Sequence, residues 1–117
     1  MARTNKDTLK ELNKLSGSIK FYEIDSESLA FYVGHLRGIC DISKRELDIL
    51  LPRLEKCYRA GAYDLIPNIA SEIAEISKDL DLSSRLYVDY ELRYTDVYAS
   101  TYGQLPIVSR EKEEVGA

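Results

Sequence analysis

A chain of 117 residues, 44% hydrophobic and 31% charged, has the profile of one folded globular domain and not of a disordered segment. Its net charge of −4 sets it against a phosphate backbone unless a local basic patch survives. Two cysteines and one histidine exclude a structural zinc site made from protein nitrogen and sulfur donors alone.

No apolar signal core follows Met1, and no apolar run reaches membrane-spanning length. The expectation is a cytoplasmic protein with both thiols free and no membrane contact. The first twenty residues carry Arg3, Lys6, Lys10, Lys14 and Lys20 against Asp7 and Glu11, which reads as a solvated basic helix. Leu9, Leu12 and Leu15 line one side of a short first helix from Asp7 to Leu15. Thr4 or Asn5 caps its start and Gly17 stops it. Residues 18–24, SIKFYEI, have strand propensity but no second strand nearby to pair with. They read as a short extended connector, with an edge strand as the alternative.

Asp25 or Ser26 caps a second helix running to about Arg37, with Leu29, Tyr32, Val33 and Leu36 on its apolar face. Ala30, Gly34 and Gly38 follow one another at four-residue steps on a neighbouring face. Glycine within a helix costs about 1 kcal/mol against alanine. Ala30 and Gly34 therefore predict close packing against another helix, while Gly38 with Ile39 fits a left-handed helix stop. Ser43 and Glu46 match a capping box that opens a third helix through Leu47, Leu50, Leu51, Leu54, Cys57 and Tyr58. Pro52 in its middle predicts a kink, and Gly61 ends it.

Asp64 caps a fourth helix, with Pro67 tolerated in its first turn and Leu65, Ile69, Ile73, Ile76 and Leu80 as its core stripe. Ser83 caps a fifth. This last helix carries Tyr87, Tyr90, Tyr94, Tyr98 and Tyr102 within an arc of about 120°. Gly103 and Pro106 follow where it would stop. Leu86, Val88, Tyr90, Leu92 and Tyr94 also alternate as a strand would. That alternation fails after Tyr94, and twenty residues exceed an ordinary strand. Leu105, Ile107 and Val108 are expected to pack back, ahead of a charged, disordered tail.

Motifs for chemistry are sparse. Glu72, Glu75 and Asp79 are well spaced, but a di-iron bundle also needs carboxylates paired with histidine. His35 with Cys40 or Cys57 would need an electropositive pocket that the local sequence does not provide. No glycine-rich phosphate loop, serine elbow or dinucleotide fingerprint is present. The Tyr-x-x-Gly-x-Tyr spacing from Cys57 to Ile76 resembles a tetratricopeptide hairpin over about twenty residues. No second copy follows, since Gly61 would recur as Thr95.

The sequence therefore predicts an all-α protein: a compact four- to five-helix bundle with a kinked third helix, in one domain over residues 1–108, followed by a tail over 109–117. It calls for no catalytic residue, metal or cofactor. The functional expectation is a small non-enzymatic interaction module, an adaptor, inhibitor or assembly subunit. It would bind a protein partner, or itself as a homodimer, through Tyr90, Tyr94, Tyr98 and Tyr102, because tyrosine is enriched at interfaces. The alternative is a helix-turn-helix DNA-binding regulator at residues 76–94, where apolar spacing fits but Asp81, Asp89 and Glu91 would face phosphates.

Overall fold

The computed structural model describes residues 4–103. Three α-helices follow one another: α1 (Asn5–Ser16), α2 (Ser26–Arg59) and α3 (Ile66–Tyr102). Short 3-10 helices fill the two connections, at Ile19–Glu23 and Tyr63–Leu65. Among the described residues there is no strand, and within the 18–24 segment Ile19–Glu23 form a 3-10 turn, with only Ser18 and Ile24 extended at its ends.

The helix ends follow local chemistry. Thr4 caps α1 by accepting from the Asp7 N–H, while the Asp7 carboxylate reaches back to the Thr4 N–H in a capping box. Asp25 caps α2 by accepting from the Ser28 N–H at 2.9 Å. That hydrogen bonding to Ser28 holds the Asp25 carboxyl below its usual pKa. Gly61 (φ +74°) and Gly103 (φ +72°) take the left-handed conformation after α2 and at the end of α3, where other residues would be strained.

The two long helices form an antiparallel hairpin. Cys40 Sγ meets Ser83 Oγ at 3.2 Å across the seam and fixes the register. Helix α1 lies along α3 in the same direction, since Lys6 reaches Glu75 while the Leu12 carbonyl accepts from Tyr90. It covers only the half of the hairpin that holds the start of α2 and the end of α3. The molecule thus divides into a three-helix base and a two-helix arm, over an extent of 60 × 39 × 22 Å. The base holds the core: Leu9, Leu12, Phe21, Leu29, Leu36, Ile39, Leu86 and Tyr90.

Several expectations are corrected here. There are three helices, not four or five, because two anticipated breaks do not occur. Helix α2 runs through Gly38, Ser43 and Pro52 without interruption. Gly38 does not have a positive φ. A break there would pull Leu36 and Ile39 off the α3 seam, and burying such side chains gains about 1.5–3 kcal/mol each against about 1 kcal/mol for glycine. Helix α3 runs through Ser83, which is buried in the seam and donates to the Leu80 carbonyl at 3.1 Å instead of capping. Asp64 sits in the 3-10 turn and caps nothing, and Pro67 occupies the first turn of α3 as expected. A side chain added at Gly34 would meet nothing within 4 Å, and Ala30 is exposed. No described helix packs on that face. The expectations for Leu105, Ile107, Val108 and the tail lie outside the described residues.

Candidate interaction surface

The tyrosine arc forms on one flank of α3, but burial divides it. Tyr90 is 0% exposed and sits at the centre of the base. Its hydroxyl donates to the Leu12 carbonyl at 2.7 Å, and its ring meets Phe21 and Tyr32 edge-on at 5.0 and 5.8 Å. Burial, reinforced by Tyr32 and Asp89, pushes the Tyr90 phenol well above its ordinary pKa. Tyr90 is therefore a core residue and not a partner-binding one. Sequence spacing could not separate it from Tyr94 or Tyr98, because the separation is made by α1 and the 3-10 turn landing on it.

Beyond Tyr90 the arc opens. Tyr94 and Val97 are half-buried and still pack on the core. Tyr98 and Tyr102 do not. Counting outward from the Cys40–Ser83 contact, Ser26 at the start of α2 stands level with Val97. Tyr98 and Tyr102 therefore project past the end of α2. The rings form a ladder, with centroids 5.8 Å apart from Tyr94 to Tyr98 and 4.5 Å from Tyr98 to Tyr102. Tyr102, at its outer end, is 59% exposed. The Tyr94 phenol is raised by partial burial first, then by Tyr98 and Tyr102. Beside the ladder, Arg93 donates to the Tyr22 carbonyl at 2.8 Å and lies 5.2 Å from the Tyr22 ring centroid. Tying Arg93 down ties the 3-10 turn to the α3 flank. The surface thus combines apolar ring faces with phenol groups, a chemistry suited to contact area at low entropic cost.

The arm carries a second open surface. From Ser43 to the tip, Leu50 is the one buried apolar residue that α2 contributes. Leu47, Leu54, Ile69, Ile73 and Ile76 are only half-buried. Leu51 and Tyr58 are exposed on the side of the hairpin away from α1. Sequence reasoning took these residues for apolar helix stripes and not for an open surface, although a signal exists. Ile49, Leu50 and Leu51 are consecutive, and three apolar residues in a row span about 200° of a helix, more than one neighbouring helix covers.

The other candidates separate. Glu75 accepts from Lys6 Nζ at 2.6 Å, which lowers the carboxyl pKa and raises that of the amine. His35 stacks on Phe31 with centroids 6.1 Å apart and is exposed. Cys40 meets Ser83, and among the described residues no contact joins His35 to either thiol. No group of three or more histidine, cysteine or carboxylate side chains converges as a metal site among the described residues. None of the described helices is long and apolar enough to cross a membrane. Residues 76–94 form one uninterrupted stretch of α3, so the turn that a helix-turn-helix needs is not formed there. No protein-family model, curated protein or solved structure matches the chain.

Proposed function

We propose that this chain is a non-enzymatic interaction module that docks a protein partner on the overhanging end of α3. Tyr98 and Tyr102 make the contact, and Tyr94 joins it to the core. The observation that supports this reading is the ring ladder continuing past the end of α2, where no other described element covers it. A partner with an apolar surface and acceptor groups for the phenols would complete it.

The test is the double variant Tyr98→Ala, Tyr102→Ala. Neither ring belongs to the core, so helix content by circular dichroism should stay unchanged. Affinity capture from the native source should lose the proteins retained by the unaltered chain. Retention of the same proteins by the double variant would overturn the reading.

A further inference from the structure

We infer that the cleft between α1 and α2 is a binding site for a small organic ammonium ion with an aromatic body. The cleft shares no residue with the Tyr94, Tyr98 and Tyr102 ladder and does not depend on that surface having a partner. It exists because of how α1 is seated. Helix α1 packs on α3 and on the Ile19–Glu23 turn, while its backbone scarcely approaches α2. A wedge of about 400 Å³ stays open between the two helices, within the size range of small-molecule sites.

The lining has an apolar side and an aromatic side. Leu12 and Leu15 supply the first from α1, and Phe31, Tyr32 and His35 supply the second from α2. The Phe31 and Tyr32 rings stand 70° apart with centroids 5.9 Å from each other, so they make a corner and not a flat patch. Tyr32 meets the buried Tyr90 ring edge-on, which anchors that corner on the core. His35 stacks on Phe31 within 17° of parallel. Phe31 is nonetheless 68% exposed, so most of its ring area is open to a ligand.

The charge around this corner selects a cation. Glu11 lines the cleft from α1. Glu27, one turn before Phe31 on α2, lines a second hollow that Phe31 and Tyr32 also border. No lysine or arginine lines either hollow. Carboxylates and ring faces both attract an ammonium head, whereas an aromatic anion would meet repulsion from both. The two leucines and the Phe31 ring suit an apolar body. A bare metal ion would gain nothing from them, and no cluster of three ligating side chains exists among the described residues.

The test is an NMR titration of the full chain with phenethylammonium, using phenethyl alcohol and hydrocinnamate as its neutral and anionic counterparts. The ammonium should bind with a dissociation constant of about 1 mM or tighter and shift the amides of Leu12, Leu15, Phe31 and His35. The alcohol should bind about fivefold more weakly, and the acid more weakly again. Phe31→Ala should weaken the ammonium about tenfold with unchanged helix content, since the ring is already exposed. Glu11→Gln, also at an exposed position, should weaken the ammonium about threefold and leave the alcohol unchanged. N-acetyl-lysine methylamide presents the same head on a narrow stem and should bind at least about tenfold more weakly. Equal binding would make the occupant a protein lysine and overturn the small aromatic ligand. The inference is also overturned if no amide moves at about ten times the expected constant, if the acid binds as well as the ammonium, or if Phe31→Ala changes nothing. Shifts gathered at Tyr94, Tyr98 and Tyr102 instead would move the binding to the tyrosine ladder and overturn the cleft.

Discussion

The base and the arm of the hairpin use the same two helices and reach different interiors. In the base, Leu29, Leu36 and Tyr90 are fully buried. In the arm, Leu47, Leu54, Ile69, Ile73 and Ile76 follow the same periodic pattern and stay half-exposed. The difference is a third layer. Helix α1 and the Ile19–Glu23 turn close the base, whereas each arm helix has one neighbour and covers one side only. Periodicity says which side of a helix is apolar. The number of neighbours decides how much of that side leaves water.

The largest expected effect separates the two regions directly. Leu36→Ala should cost about 2–5 kcal/mol, because a closed core cannot collapse around the lost volume. Leu54→Ala, in a side chain still partly wet, should cost about 1 kcal/mol. Urea denaturation checks both, and equal losses would erase the distinction between base and arm.

A smaller effect tests how α1 closes the base. Tyr90→Phe should cost about 1–2 kcal/mol, since the Leu12 carbonyl loses its buried donor. The same variant has a pH signature. The folded phenol pKa is raised above its unfolded value, so its contribution is complete below about pH 10 and is lost as pH rises beyond that. The unaltered chain should lose stability on that alkaline limb, and Tyr90→Phe should flatten it. A denaturation midpoint that falls equally in both proteins from pH 9 to 11 would contradict the assignment.

The smallest effect lies where α1 meets the root of the arm. The Glu75 carboxyl is held below its ordinary pKa by Lys6, so its contribution is present at neutral pH and lost as pH falls through the carboxylate range. Both partners are exposed, so Glu75→Gln should shift the acid limb only slightly, and salt should hide the shift. A large loss would mean that α1 hangs on this pair more than on Leu9 and Leu12.

Much of the architecture could be read locally. Thr4, Asp25, Gly61 and Gly103 stand at helix ends as their chemistry requires, and Gly17 ends α1 with an ordinary φ of −88°. The tyrosines do share one flank of a helix. A cap or a left-handed glycine settles a contest among a few backbone groups, and its outcome needs no distant partner. Burial along the stripe was not legible: Tyr102 lies open, Tyr98 is half-buried outside the core, and Tyr90, from the same stripe, is fully buried.

Three things waited for the tertiary structure: the fusion of five expected helices into three, the burial of Tyr90, and the open face of the arm. Gly38, Ser43 and Ser83 are weak breakers, each able to stop a helix alone. Here the neighbouring helix holds Leu36, Ile39 and Leu86 in place across them, and the packing gained exceeds the local preference to end. Which apolar residues find cover depends on where α1 lies along α3, a contact between residues far apart in the chain that no local pattern encodes.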